Sequence, residues 1–83
     1  MTYFDSELDV TGMACPLPVF KARQAIDQLD VDQVLHIICT DSDSRSNFPN
    51  FAQQCGHELF RSFETEGVFH YFIKKKNAGV CKV

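Results

Sequence analysis

Val19, Ala22, Ile26 and Leu29 recur three or four residues apart, which sets them on one face of a helix over about 16–29. Strand-like segments flank that helix on both sides. Over 6–10, Leu8 and Val10 alternate with Glu7 and Asp9, the period of a half-buried strand. Val34–Cys39 is a short apolar run rich in β-branched residues, suited to a central strand. The helix between them has the length of a crossover connection, and crossovers in one sheet are right-handed. A shorter helix follows over 49–55, with Phe48, Phe51, Ala52 and Cys55 able to share a face and Gly56 in the stop position. Two strands close the chain, over 58–64 and 68–75. Alternation in the first of them places Leu59 and Phe63 on one face and Phe60 on the other. Thr65-Glu66-Gly67 is short enough for a hairpin.

The order is therefore βαβαββ. The fold class expected is α/β (α+β): a two-layer sandwich, with a four-stranded mixed sheet and two helices on one face. The order of the strands in the sheet is not legible. No helix is left for the second face of the sheet, and Phe60, Phe69 and Tyr71 leave apolar area that calls for a partner.

A chain of 83 residues with a net charge of -3 is one domain near the lower size limit for independent folding. Residues 1–76 are assigned to that domain and 77–83 to a frayed tail. Eight Phe and no Trp point to a core of large side chains. The acidic balance gives no footprint for nucleic acid, and Lys74, Lys75 and Lys76 read as solvated lysines ending a strand. Asp5, Glu7 and Asp9 interrupt the N-terminal segment, so no signal peptide is expected there. No apolar run approaches the ~18 residues needed to span a bilayer. The expected location is the cytoplasm, where Cys15, Cys39, Cys55 and Cys81 should be reduced. With no C-x-x-C pair, neither a disulfide framework nor a structural zinc site is expected.

Chemistry concentrates in Gly12-Met13-Ala14-Cys15-Pro16-Leu17-Pro18. Cys15 falls at or just before the start of the first helix, where free backbone N–H groups and the helix dipole favour thiolate over thiol. Pro16 suits the first helical position, and Pro18 is tolerable inside the first turn. His36, His57 and His70 are distant along the chain, so spacing supplies no general base. No protease-like Cys–His–Asn pattern and no thioredoxin-like cysteine pair accompany the thiol. A bare, helix-activated thiol suits a carrier whose partners provide the remaining chemistry. An inert buried helix cap is the alternative on these local grounds.

The segment Leu8 to Val19, L-D-V-T-G-M-A-C-P-L-P-V, resembles the signature of the TusA (SirA-like) sulfur-carrier family. Asp41, Phe48-Pro49-Asn50-Phe51 and Gly56-His57-Glu58-Leu59 continue the likeness, which covers about Leu8 to Lys75. The resemblance implies a persulfide relay with Cys15 as the sulfur-bearing residue and Gly12, Pro16 and Pro18 as the supporting motif. It also implies a cysteine desulfurase or other sulfur donor protein upstream, and a sulfur-acceptor protein downstream. Relatives serve tRNA 2-thiouridine, molybdenum cofactor or sulfur oxidation. Such a chain is a sulfurtransferase-type carrier rather than a self-sufficient enzyme, with no cofactor, no metal, no direct nucleic-acid contact and no membrane. A monomer is expected when it is free. Asn47 stands where many relatives have Asp, and Ala52 where some have a second Cys.

Partner docking is expected around Cys15, with Met13, Leu17 and Phe20 giving apolar contact and Lys21 and Arg23 steering an acidic partner. Cys39 and Cys55 are assigned to the core, and Cys81 to an exposed tail position. His57 is expected to fix the turn from helix to strand, while His36 and His70 receive no role. Two other functions compete: a regulatory or RNA-binding module with a redox-sensing Cys15, and a metal site built from Cys15, His57 and another cysteine.

Overall fold

The computed structural model describes residues 4–14 and 17–76. The elements are β1 (Ser6–Asp9), α1 (Leu17–Asp27), β2 (Val34–Cys39), α2 (Ser44–Cys55), β3 (Glu58–Thr65) and β4 (Val68–Lys74). They form one sheet in the order β1-β2-β4-β3. β1 runs parallel to β2, β4 runs antiparallel to β2, and β3 pairs antiparallel with β4. The expected mixed sheet and element order are present.

One core joins both helices to one face of the sheet. Ala22 and Ile26 of α1 and Phe48, Phe51, Ala52 and Cys55 of α2 pack with Leu35, Ile37 and Cys39 of β2 and Phe69, Tyr71 and Ile73 of β4. Val19 and Leu29 lie at its margin, so the helical face read from periodicity is the buried one. Both helices start at the same end of the sheet, beyond the C-terminal ends of the parallel pair.

Four expectations need correction. First, α2 begins at Ser44, five residues ahead of Pro49. The polar run 40–47, T-D-S-D-S-R-S-N, has the composition of a loop, yet it winds early because Asp41 starts the helix. Its Oδ1 accepts the Asp43 N–H (3.1 Å) and its carbonyl accepts the Ser44 N–H (3.1 Å). Pro49 then sits inside the helix, where it removes one backbone donor and leaves the helix continuous. Gly56 does end it, in the left-handed conformation (φ 76°).

Second, Phe63 does not share a face with Leu59. A bulge between Leu59 and Arg61 inserts one extra residue, which shifts the alternation of β3 by one. Third, Phe69 and Tyr71 are buried on the helical side. Of the three residues expected on the opposite face only Phe60 lies there, and Phe63 joins it, with Phe72 beneath them.

Fourth, Lys75 is buried rather than solvated. Its Nζ donates to the carbonyl oxygens of Leu29 (2.6 Å) and Asp27 (3.3 Å). It thus satisfies carbonyls at the C-terminal end of α1, where a cation also suits the helix dipole.

Candidate functional site

The site candidate, Cys15, and its neighbour Pro16 lie outside the described residues, as do Cys81 and the tail from 77 onward. The structure does define the ground on both sides of them. β1 ends at Asp9, whose Oδ1 accepts hydrogen bonds from the N–H (2.9 Å) and the hydroxyl (2.8 Å) of Thr11. These bonds hold the Asp9 carboxyl below the usual carboxylate range. Gly12 follows with φ 80°, and its N–H donates to Thr40 Oγ1 (2.8 Å). The Met13 N–H returns to the Val10 carbonyl (3.2 Å). The loop ahead of Cys15 is therefore tied both to its own strand and to the end of β2.

Beyond the gap, the Leu17 N–H donates to the Ala14 carbonyl (3.1 Å), and Pro18 is fully buried in the first turn of α1. Burial of Pro18 anchors that turn against the core. Leu17 (45% exposed) and Phe20 (53% exposed) leave two large apolar side chains on the surface beside it. Lys21 is exposed, whereas Met13 and Arg23 are half-buried. The apolar contact residues read from the sequence thus flank the Cys15 segment, and Lys21 extends that surface with a cation.

The other cysteines sit as follows. Cys39 is buried with a free thiol, and its Sγ accepts the Asp41 N–H (3.4 Å). Cys55 is buried as expected, but it is disulfide-bonded, so the expectation of four reduced thiols fails there. Spacing could not show this, because disulfide pairing follows from folding rather than from separation along the chain.

The histidines are structural, each in its own way. His57 is buried, and its Nδ1 accepts the Lys76 N–H (3.2 Å), joining the start of β3 to the end of β4. The side chain thus ties two strand ends together, whereas the turn from α2 to β3 that it was expected to fix is held by the backbone, with the His57 N–H donating to the Ala52 carbonyl (2.8 Å). Burial, and then the neighbouring Lys75 charge, lower its pKa. His36 and His70 are diagonal neighbours on β2 and β4, and their rings meet Nε2 to Nδ1 at 3.0 Å. Sequence reading missed this pair, although the antiparallel alternation of two strands could have brought the two rings together. Glu7 Oε2 stands 3.3 Å from His36 Nδ1, but outside hydrogen-bonding geometry, so that buried nitrogen has a nearby charge and no bond. Burial lowers the pKa of His36, and Glu7 only partly offsets it. Among the described residues, no group of three or more His, Cys, Asp or Glu could hold a metal ion. None of their helices is long and apolar enough to cross a membrane.

The α2 side of this end of the sheet is fixed by a buried hydroxyl pair. Ser44 Oγ and Tyr71 Oη lie 2.6 Å apart, locking the first residue of α2 to β4. Burial raises the Tyr71 pKa, so the phenol stays protonated.

Comparison with known proteins adds to this geometry. Residues 6–75 match the family described as Sulfurtransferase TusA. The chain is 47% identical over 75 residues to the sulfur carrier protein TusA of Allochromatium vinosum, covering 90% of this chain and 99% of that one. It is 40% identical over 72 residues to TusA of Pseudomonas putida, covering 87% and 90%. Among solved structures, it is similar to the SirA-like protein of Desulfitobacterium hafniense. There the TM-score is 0.78 at 25% identity, over 88% of this chain and 100% of that one.

Proposed function

Because this chain belongs to the TusA family of sulfur carriers, we propose that Cys15 is its sulfur-bearing residue and works as a relay between two proteins. The donor is a cysteine desulfurase or another sulfurtransferase, and the compartment is the cytoplasm. In loading, the Cys15 thiolate attacks the outer sulfur of the donor's persulfide. A new S–S bond forms on Cys15, the donor's S–S bond breaks, and the donor leaves as thiolate. In delivery, a nucleophile on the acceptor protein attacks the outer sulfur of Cys15, and Cys15 leaves as thiolate. Each step exchanges one bond to sulfur for another, with no external oxidant or reductant.

Gly12, Pro16 and Pro18 are assigned to shaping the loop and the helix start. Met13, Leu17, Phe20, Lys21 and Arg23 are assigned to docking. The observation that carries the reading is the 47% identity to a sulfur carrier over nearly the whole chain. Cys15-Pro16-Leu17-Pro18 supplies the thiol and helix-start sequence within that match. The anchored loop and the exposed Leu17 and Phe20 support it, since sulfur transfer needs the partner in contact with this thiol. The acceptor belongs to a tRNA 2-thiouridine, molybdenum-cofactor or sulfur-oxidation route.

The test is intact mass after incubation with a cysteine desulfurase and cysteine. Wild type should gain roughly 32 Da, one sulfane sulfur on a thiolate nucleophile, and Cys15→Ser should gain none. Cys39→Ala, Cys55→Ala and Cys81→Ser should still load. Loading that survives in Cys15→Ser but is lost in Cys81→Ser would move the chemistry to the tail.

A further inference from the structure

β1 is an edge strand paired with β2 alone, and its last backbone rung is the Val10 N–H donating to the Ile38 carbonyl (2.8 Å). Past that rung the chain leaves the sheet through Gly12, three residues ahead of Cys15. The other backbone bonds of this loop are local. Thr11 binds Asp9, the Met13 N–H returns to Val10, and the Leu17 N–H returns to Ala14. Such bonds shape the loop and would travel with it if it swung. Met13 packs at the margin of the core, but apolar contact has no direction. Among the described residues, the one hydrogen bond that ties positions 11–14 to another strand end is the Gly12 N–H donating to Thr40 Oγ1 (2.8 Å).

Thr40 is firmly mounted. It follows Cys39, the fully buried end of the central strand β2, whose Sγ accepts the Asp41 N–H (3.4 Å). Asp41 in turn starts α2 through its bonds to Asp43 and Ser44, and Ser44 is locked to Tyr71 (2.6 Å). One hydroxyl therefore joins the segment that leads into α1 to the segment that leads into α2.

We propose that Thr40 is a positioning residue for sulfur transfer: its hydroxyl, acting through Gly12, sets where the loop delivers Cys15 to the start of α1. This deepens the carrier reading and rests on Cys15 being the sulfur-bearing residue. Thiolate attack on the donor's outer sulfur needs the breaking S–S bond in line with the incoming thiolate, and small misplacements of reacting atoms are costly. Stability depends little on the same bond. Thr40 and Gly12 are both exposed, so water can replace either partner when the other is lost. The hydroxyl thus contributes placement more than folding energy. Thr40→Val keeps the β-branched shape and removes the acceptor, whereas Thr40→Ser keeps the acceptor.

The test measures initial rates of sulfur loading by a cysteine desulfurase and cysteine, with the concentration of the full chain varied. Thr40→Val should lower kcat about three- to tenfold and leave KM within about twofold, because docking is untouched while the thiol is less well placed. Thr40→Ser should return kcat to within about twofold of wild type, since it restores the acceptor. Should Thr40→Val lose structure, Thr40→Ala removes the same acceptor and carries the same expectation. A Thr40→Val chain that loads like wild type while Cys15→Ser stays silent overturns the positioning role and spares the carrier reading. A raised KM at unchanged kcat overturns it too, and makes Thr40 a contact of the donor. Failure of Thr40→Ser to rescue shows that the hydroxyl is not what acts. Loading that persists in Cys15→Ser removes the carrier reading itself, and this inference with it.

Discussion

A Cβ added at Gly12 would meet nothing within 4 Å, so space is not what the position demands. Its φ of 80° is, because that conformation strains any residue with a Cβ. Gly12→Ala should lower stability by about 1 kcal/mol in urea unfolding. If the loop positions the carrier thiol, the same variant should load sulfur more slowly. Tyr71→Phe addresses a different residue-scale requirement. It leaves the buried Ser44 hydroxyl without its partner, at about 1–3 kcal/mol of stability, with loading of the folded protein unchanged. Of these two positions, sequence reading placed Gly12 correctly ahead of the cysteine but set Tyr71 on the open face of the sheet, where it is not. The Ser44–Tyr71 pair joins residues far apart in the chain, and nothing local in either residue announces it. Lys75 is the clearest miss. Three adjacent lysines look like a solvated strand end, yet strand alternation turns the middle one inward onto the end of α1.

At the scale of elements, periodicity located all six, and the errors came from boundaries and register. The start of α2 was hidden because Pro49 was taken as the first helical position, whereas Asp41 and Asp43 had already begun the turn. The faces of β3 were misassigned beyond Leu59, since a bulge leaves no mark in the alternation of side chains. The hairpin was legible. Glu66 (φ 52°) and Gly67 (φ 79°) are its two central residues, both in the left-handed region that a tight hairpin turn of this twist requires. The stop of α1 was not, because it depends on a lysine from the end of β4. Lys75→Met keeps the apolar stem and removes the donors to the Asp27 and Leu29 carbonyls. It should cost about 1–3 kcal/mol in chemical denaturation, with the loss concentrated at the α1 end in amide exchange.

For the molecule as a whole, two buried histidines weaken the fold as pH falls. His36 and His57 both have pKa values lowered from 6.5 by burial. Each binds fewer protons folded than unfolded at mildly acidic pH. Their contribution to stability is therefore complete above about pH 6.5 and falls as pH drops through the lowered folded values. Urea midpoints should decline between neutral and acidic pH, and His57→Gln should flatten part of that decline. A slope of the opposite sign would contradict the burial of both rings. The topology also has a kinetic consequence. The β3–β4 hairpin closes over two residues, whereas the β1–β2 pairing must first close the whole segment from Asp9 to Val34. Short-range closure is entropically cheap and fast, so the C-terminal hairpin should order early and β1 late. The strand that leads into Cys15 is thus the last to join and the first to open. Deuterium labelling of the native chain should reach β1 amides ahead of those in β4, leaving the strand that leads toward Cys15 the most yielding part of an otherwise firm sheet.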